Sequence, residues 1–419
     1  MNNGMMSEEK TKSFAVSKEM VYNSYLKVCS KDGGAGIDKE TIEMFNKDLN
    51  GNLYKVWNRM SSGSYFPPPV RTVLIQKKQG GTRPLGIPTV GDRIAQGVVK
   101  DYLELILEPL FSVNSFGYRP GRSAHDALAQ CEHNCKQYSW VVDLDIKGFF
   151  DNISHEWMMK MVSHHTQEKW VLLYTERWLK AGIEQADGSI AARSKGTPQG
   201  GVISPLLANL YLHHAFDMWM SRHFASNPFE RYADDIIVHC NRKAEAEHLL
   251  SSIRQRLQGF ELELHAEKTK LVYCQNYKRK EEHEHNSFTF LSYSFQPRVK
   301  GNPLIKHSRF MVFDAAICCK AKAFIKQQIK AVFNPRNTTV SLEQTAVKLN
   351  PKIRGWLNYY CRFNAAIAGK VFLYLNELIQ RWMEEKFRLR SKKAILEKYQ
   401  SYVQANTKLF VHWQKGITY

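Results

Sequence analysis

The chain has 419 residues and a mass of 48.5 kDa, and 43% of its residues are hydrophobic. This is enough apolar material for two or three domains of roughly 150 residues, so the composition excludes a disordered chain, a disulfide-rich miniprotein and a collagen-like repeat. No apolar run approaches the roughly 20 residues that cross a bilayer, and the polar start lacks the apolar core of a signal peptide. Eight cysteines without a Cys-x-x-Cys pair favour a reducing compartment over a structural zinc site. We therefore expect a cytoplasmic protein that does not contact a membrane.

Positive charge is concentrated in the C-terminal part of the chain. The net charge is +19, and the isoelectric point is near 9.4. Residues 301–419 hold 21 Lys and Arg against 6 Asp and Glu, whereas residues 1–300 hold 38 against 34. A local basic excess of this size attracts polyanions, so nucleic acid is the first candidate partner and a solubilising surface is the alternative.

The N-terminal third combines helical segments with strong turn signals. Residues 1–60 read as helical around a glycine-rich turn at 31–38, and three prolines at 67–69 end this segment because proline does not fit a helix interior. Residues 70–75 and 83–88 flank a turn that contains two glycines, which predicts a β-hairpin. Helical patterns follow at about 92–110 and 123–138.

Strand and helix patterns alternate in the middle of the chain. Residues 140–146 predict a strand, and residues 229–240 predict two strands around an Ala-Asp-Asp turn. Helical patterns occupy about 205–224 and 243–258. This interleaving indicates an α/β or α+β unit.

After residue 303 the pattern predicts a small basic helical module. Ile325, Ile329 and Val332 share one helix face, whereas three lysines at i, i+4 and i+8 spacing form a row elsewhere on the same helix. A similar apolar spacing recurs over 371–382. We therefore expect basic helices beside a core of strands and helices.

Two acidic clusters carry the chemistry. Asp143 and Asp145 share one face of the strand at 140–146. Two carboxylates on one face of an apolar strand cost free energy unless a positively charged group compensates them. Asp234 and Asp235 lie at a tight turn before Ile-Ile-Val. Because turns favour aspartate, this second cluster considered by itself would be interpreted as structural. Together, the two clusters suit hard cations, which prefer oxygen ligands. Two Mg²⁺ ions there would activate a 3′-hydroxyl and stabilise a pyrophosphate leaving group.

An ordered set of motifs resembles those of reverse transcriptases, and more narrowly the reverse transcriptase/maturase proteins encoded by bacterial group II introns. The three central motifs are Asp-Ile-Lys-Gly-Phe-Phe at 145–150, Gly-Thr-Pro-Gln-Gly-Gly-Val-Ile-Ser-Pro at 196–205 and Tyr-Ala-Asp-Asp at 232–235. Further matches lie at 33–38, 77–88, 115–122 and 355–360. The resemblance covers nearly the whole chain.

This resemblance implies an α+β, right-hand polymerase fold. The implied domains are an N-terminal extension and fingers at 1–90, a palm with the remaining fingers at 91–302, a basic helical thumb at 303–393, and a short DNA-binding appendage at 394–419. The metal-dependent endonuclease that many relatives append is not expected in this chain. Ser292 replaces a glycine in the motif that handles the primer.

The resemblance also implies roles for individual residues. Asp145, Asp234 and Asp235 would be the catalytic, metal-binding carboxylates, with Ile146 as a further metal ligand. Asp143 would be structural. Phe150 would lie beneath the sugar of the incoming nucleotide and exclude a 2′-hydroxyl.

Other implied contacts serve the nucleotide and the nucleic acid. Lys77 and Arg83 would face the triphosphate, while Gln199 and Phe149 would contact the nucleotide. Lys268 would protonate pyrophosphate, although a lysine-rich surface loop explains it nearly as well. The implied nucleic-acid contacts are Arg71, Gly200, Lys322, Lys326, Lys330 and Arg354.

The resulting hypothesis is an RNA-directed DNA polymerase that uses two Mg²⁺ ions, deoxynucleotides, an RNA template and a DNA primer or target. The same resemblance implies that the protein binds its intron RNA and helps it to splice in the bacterial cytoplasm. One alternative is a bacterial reverse transcriptase of a defence or retron-like system without a splicing role. Another is a maturase that no longer polymerises, which the intact carboxylates argue against.

Overall fold

The computed structural model describes residues 13–76, 82–185, 187–301 and 309–418. Within these ranges it contains eleven strands: β1 Arg71–Gln76, β2 Thr82–Ile87, β3 Trp140–Asp145, β4 Ile183–Glu184, β5 Ile190–Ala191, β6 Phe229–Tyr232, β7 Asp235–Cys240, β8 Lys270–Tyr273, β9 Phe288–Phe290, β10 Tyr293–Lys300 and β11 Phe310–Ile317. The α-helices are α1 Lys18–Lys31, α2 Ile42–Asn46, α3 Leu49–Ser61, α4 Val90–Leu107, α5 Ala124–Gln137, α6 Phe149–Asn152, α7 His155–His165, α8 Lys169–Lys180, α9 Ser204–Leu212, α10 Met218–His223, α11 Lys243–Gln258, α12 Cys319–Val332, α13 Leu342–Tyr360, α14 Ala365–Phe387, α15 Lys392–Ala405 and α16 Val411–Gln414. A π-helical segment, His213–Asp217, joins α9 to α10.

The described chain divides into two compact units. The first comprises residues up to 127 together with 142–270, and the second comprises 128–141 together with 271–419. The domain bounds expected from the sequence remain predictions. No helix among the described residues is both long and apolar enough to cross a membrane.

A four-stranded sheet with the order β6–β7–β3–β8 carries the acidic clusters. In β3, Val142 and Leu144 are buried, whereas Asp143 and Asp145 keep partial exposure, as the two-residue period of a strand requires. β6 and β7 form an antiparallel hairpin in which Tyr232 pairs with Asp235. The predicted strand and the predicted two-strand turn are thus present.

The N-terminal helices and the first hairpin also belong to the first unit. α1 starts at Ser17, whose hydroxyl accepts a hydrogen bond from the Met20 amide, and it packs on α4 through the Ser24 hydroxyl, which donates to the Ile94 carbonyl. β1 and β2 pair antiparallel over their whole length. The hairpin predicted at 70–88 is therefore present, while its turn at 77–81 lies outside the described residues.

The second unit contains a three-stranded sheet, β11–β10–β9, that the sequence analysis did not predict. The expectation of helix from residue 303 onward is wrong for Phe310–Ile317, which pairs with β10 as a strand. Seven of the eight residues of this segment are apolar and only Asp314 interrupts them, so the segment shows no alternation that would distinguish a buried strand from a buried helix. Ser292 lies between β9 and β10 with φ at +67°, which explains why glycine is usual at this position in the resembling proteins.

Helices α12 to α16 complete the second unit and contain the basic row. Ile325 and Ile329 are buried in α12, whereas Lys326 and Lys330 are exposed on it and Lys322 is half-buried. The helical pattern predicted over 320–333 is thus present.

The segment that resembles a DNA-binding appendage packs into this helical unit. Phe410, His412 and Trp413 are buried. The buried Asn376 side chain on α14 accepts hydrogen bonds from His412 Nε2 at 2.8 Å and from Trp413 Nε1 at 2.9 Å, and it donates to the Ile417 carbonyl at 3.2 Å. Burial lowers the pKa of His412 to about 3, so its ring is neutral at pH 7. These side chains stabilise the unit rather than present a surface.

Asn376→Ala should therefore destabilise the second unit by about 2 to 3 kcal/mol, because it leaves two buried ring N–H groups without an acceptor. Urea unfolding followed by tryptophan fluorescence measures this change. Asn358→Ala, which truncates an exposed residue of α13, should stay within about 0.5 kcal/mol of the wild type. Equal effects of the two substitutions would contradict the role of Asn376.

Candidate active site

Two adjacent strands bring the acidic clusters to one edge of the sheet. Asp145 is the last residue of β3, Asp235 is the first residue of β7, and these strands are neighbours. Asp234 occupies the turn that precedes β7. Lys268 Nζ lies 3.4 Å from Asp145 Oδ2. The acidic residues predicted from the sequence are therefore close together in the fold.

The electrostatics of this cluster are dominated by negative charge. The pKa of Asp235 is raised to about 7. The largest cause is the loss of water around its carboxyl group, even though part of the residue is exposed, and the charges of Asp234 and Asp145 add to it. Burial, followed by the charges of Asp235 and Asp145, raises the pKa of Asp143 to about 7 as well. Carboxyls in this state gain from a bound cation, because it would restore the charged form. The donor set therefore fits hard divalent ions.

A buried arginine fixes the turn that carries Asp234 and Asp235. Ala233 has φ at +58°, an uncommon conformation for a residue other than glycine. The fully buried Arg231 donates from Nη1 to the Ala233 carbonyl at 3.1 Å and pairs with the equally buried Asp217 through Nε at 2.7 Å and Nη2 at 2.5 Å. Asp217 is the last residue of the π-helical segment, and such segments recur at functional sites. The ion pair thus holds the turn in its strained geometry.

Further hydrogen bonds and one close backbone contact hold the same turn. The Arg231 guanidinium also donates to Asn209 Oδ1 at 2.9 Å, and the Asn209 amide donates to the Gly117 carbonyl at 2.8 Å. A Cβ at Gly117 would lie 2.5 Å from the Ala233 nitrogen, so only glycine allows this close approach. Neither residue was predicted to have a role, although Gly117 lies inside the motif at 115–122 and Arg231 directly precedes the Tyr-Ala-Asp-Asp motif.

The end of β3 is fixed by backbone hydrogen bonds. The His265 amide donates to the Asp145 carbonyl, and the Lys147 amide donates to the Glu263 carbonyl, both at 2.8 Å. The buried Ile146 side chain is a hydrocarbon without a ligand atom, so only its backbone carbonyl is suited to bind a cation. The metal-ligand role of Ile146 stays a prediction.

A cavity of about 360 Å³ lies next to the acidic turn, since the ring of Tyr118 in its wall is 6.3 Å from the ring of Tyr232. Its lining includes Tyr118, Phe150, Gln199, Gly200 and Leu85 of β2. The Gly86 amide donates to the Gln199 carbonyl at 2.6 Å, and a Cβ at Gly200, where φ is +118°, would lie 2.3 Å from the Gly86 oxygen. The hairpin and the turn at 198–200 therefore touch through their backbones.

The two phenylalanines of α6 differ in their surroundings. Phe150 lines the cavity, whereas Phe149 packs against Phe150 and Tyr211 at ring distances of 5.5 Å and 6.4 Å and is absent from the described lining. Tyr118, which the sequence analysis did not assign, lies in the cavity wall with φ at +58°. Its only sequence signal was its place in the motif at 115–122.

A buried carboxylate network supports the loop that carries Gln199. Asp92 on α4 is almost fully buried and accepts hydrogen bonds from Tyr65, Trp178 and Gln96 at 2.7 to 2.9 Å. The Gln96 side chain in turn accepts from the Ile203 amide at 3.3 Å. The network thus links two helices to the start of α9.

The remaining predicted contacts are distributed as follows. Lys77 lies outside the described residues, and Arg83 pairs with Ile75 in the hairpin, while nothing is described of its side chain. Arg71 starts β1, where its guanidinium donates to the Ala35 carbonyl at 3.2 Å. The cations expected to contact nucleic acid on α12 and α13 belong to the second unit: Lys322, Lys326, Lys330 and Arg354.

Comparison with known proteins identifies the family. Residues 75–295, more than half of the chain, match the family described as reverse transcriptase (RNA-dependent DNA polymerase). The chain belongs to the reverse transcriptase family. Residues 322–400 match the group II intron, maturase-specific domain. The family and the α+β polymerase fold class expected from the motifs are thus confirmed, and reverse transcriptases are nucleotidyltransferases that use divalent metal ions.

Individual relatives agree with this family. The chain is 36% identical over 203 residues to the group II intron-encoded protein LtrA of Lactococcus lactis subsp. cremoris, covering 48% of this chain and 33% of LtrA. It is 31% identical over 274 residues to protein YkfC of Escherichia coli K12, covering 56% of this chain and 71% of YkfC. The chain thus spans about a third of the length of LtrA.

A solved structure shows a more distant likeness. Telomerase from Candida albicans, in complex with a TWJ fragment of telomeric RNA, superposes with a TM-score of 0.46 and 11% identity. The match covers 90% of this reverse transcriptase chain and 68% of the telomerase chain.

The Asp92 network predicts a specific pH dependence of stability. Burial is the largest cause that raises the pKa of Asp92, to about 6, so the folded chain retains this proton after the unfolded chain has lost it. As the pH rises from 4 to 7, this residue therefore costs the folded state about 2 to 3 kcal/mol. Asp92→Asn removes that loss, and its stability relative to wild type should rise across this range. Urea midpoints at pH 4.5, 6 and 7 measure the difference, and a difference that does not change with pH would contradict this account.

Proposed function

We propose that the chain is the RNA-directed DNA polymerase of a bacterial group II intron. The observation that carries this proposal is the placement of Asp145, Asp234 and Asp235 at one sheet edge beside a nucleotide-sized cavity. Family membership supports the same chemistry, and the maturase-specific match at 322–400 favours an intron role over a defence or retron-like system.

The acidic residues would hold two Mg²⁺ ions. Asp145, Asp234 and Asp235 would bind them, with the Ile146 carbonyl as a further ligand. When bound, such ions activate the primer 3′-hydroxyl and stabilise charge on the leaving pyrophosphate. Lys268, already in contact with Asp145, would supply a cation near the same charge.

The cavity would receive the incoming deoxynucleotide. Phe150 would close the space that a ribose 2′-hydroxyl needs, and the fixed turn at Gln199 and Gly200 would position the nascent base pair. Lys77 and Arg83 of the hairpin would face the triphosphate. These residues bind and orient the substrate, which lowers the barrier by positioning.

The proposed partners are an RNA template, a DNA primer or target and the intron RNA. The exposed lysines of α12 and Arg354 would contact phosphates without reading sequence. Splicing assistance would rest on such contacts rather than on the carboxylates. The proposed site of action is the bacterial cytoplasm.

Asp234→Asn tests the polymerase proposal directly. Loss of one metal-binding charge should lower primer extension on an RNA template about a thousandfold or more. Splicing of the intron RNA should continue, because it does not use the carboxylates. Asp187→Asn, in an exposed loop, is the matched control and should keep both activities. Loss of both activities in a folded Asp234→Asn variant would refute the separation of roles.

Phe150→Ala should admit ribonucleotides. The enlarged cavity should reduce discrimination against the 2′-hydroxyl by roughly 10- to 200-fold in kcat/KM. Primer extension with deoxy- and ribonucleotides measures the ratio. Phe66→Ala is the control, since Phe66 is an exposed phenylalanine that is not among the described residues lining this cavity, and its sugar preference should match the wild type. An unchanged ratio in Phe150→Ala would show that the gate assignment is wrong.

A further inference from the structure

The first unit contains a second cavity, of about 390 Å³, that the polymerase function does not use. Its wall is built from α7, α10, the π-helical segment and the end of α11. In the described part of the chain, its lining shares no residue with the cavity around Phe150. We call it the tryptophan cavity after Trp157 and Trp219, which line it with partial exposure.

Aromatic rings form one side of the tryptophan cavity. The Trp157 ring lies 4.7 Å from the Phe260 ring, centroid to centroid, and Lys160 Nζ lies 4.9 Å from the Trp157 ring. The Trp219 ring packs 5.0 Å from Phe224. Both indoles are partly exposed and are held by neighbouring rings, so each offers a rigid stacking platform for a flat ligand.

A preorganised cation lies beside these rings. The Arg256 guanidinium lies 4.5 Å from the Phe260 ring and donates to the carbonyls of His214 and Ala215 at 3.0 Å. Its position is therefore fixed before any ligand binds, which reduces the entropic cost of binding.

Positive charge in the tryptophan cavity is not balanced by its lining. No Asp or Glu of the described residues lines it, whereas Lys160, Arg222 and Arg256 do. Lys160 pairs with Glu156 at 2.6 Å outside this lining. Burial and then the charge of Arg222 lower the pKa of Arg256, and burial together with positive neighbours lowers that of His214 to about 4. An anionic ligand complements such a site.

We propose that the tryptophan cavity binds an unpaired nucleotide of the intron RNA. The base would stack on Trp157 or Trp219, and the phosphate would lie between Arg222 and Arg256. Aromatic platforms joined to cations are the features that bind single-stranded nucleic acid, and the volume suits one nucleotide. The choice of intron RNA rests on the proposed function, while the binding itself is testable without polymerisation.

A charge-reversal pair tests this proposal. Arg222→Glu places an acid in the cavity wall, whereas Arg254→Glu makes the same change on an exposed position of α11 outside the cavity. The probe is a fluorescein-labelled 20-nucleotide single-stranded RNA, titrated by anisotropy while unlabelled template–primer saturates the polymerase cleft. We expect Arg222→Glu to weaken binding about tenfold relative to Arg254→Glu, with a shallower salt dependence.

A crosslinking measurement locates the RNA. The same probe carrying 5-iodouridine should form a photoadduct on Trp157 or Trp219 that mass spectrometry identifies, and Arg222→Glu should keep normal primer extension. Equal affinities of the two variants, or adducts confined to other residues, would overturn the cavity proposal. Absence of primer extension by the wild-type chain would instead overturn the proposed function.

Discussion

The mutual repulsion of carboxyls at one sheet edge is the constraint on which the rest of the site depends. The charged forms of Asp143, Asp145 and Asp235 repel one another, so other interactions in the fold must hold these residues together. At the turn, that interaction is the buried Arg231–Asp217 ion pair. Burying such a pair is costly, and a bidentate geometry with further hydrogen bonds to Asn209 and Ala233 offsets the cost. Stability is thereby exchanged for a preformed cluster of carboxyls, which the proposed function uses to bind cations.

Close backbone contacts connect this charged edge to the cavity that Phe150 lines. Gly117 lies against Ala233, and Gly200 lies against Gly86, at separations that leave no room for a side chain. The acidic turn and the hairpin are thus each placed by glycine contacts. The buried Asp92 and Gln96 side chains hydrogen-bond to each other, and Gln96 accepts a hydrogen bond from the Ile203 amide. This contact supports the loop that leads from Gln199 to α9. These backbone contacts fix the elements whose side chains, Phe150 and Tyr118 among them, line the cavity.

The sequence predicted those parts of the fold whose signals are local. The strand at 140–146, the Ala-Asp-Asp turn and α11 follow from period and turn chemistry, and each lies where the pattern placed it. β11 was missed because its residues, apolar except for Asp314, show no alternation of apolar and polar positions. Arg231 was missed for a different reason: a charged residue beside a turn looks solvated until the fold supplies Asp217, fourteen residues earlier, as its buried partner. The unequal surroundings of Phe149 and Phe150 likewise depend on distant contacts.

Net charge alone does not distinguish the two kinds of basic surface in this chain. Lys326 and Lys330 are exposed on the surface of α12, so they favour any phosphate backbone and lose much of that advantage as salt rises. Arg256 is held by two backbone carbonyls and a ring, so it favours one placement of an anion beside one stacking face. A polymerase must move along its template, which suits the first kind of contact. A splicing cofactor must hold one RNA conformation, which requires the second kind, and within the first unit the tryptophan cavity supplies it.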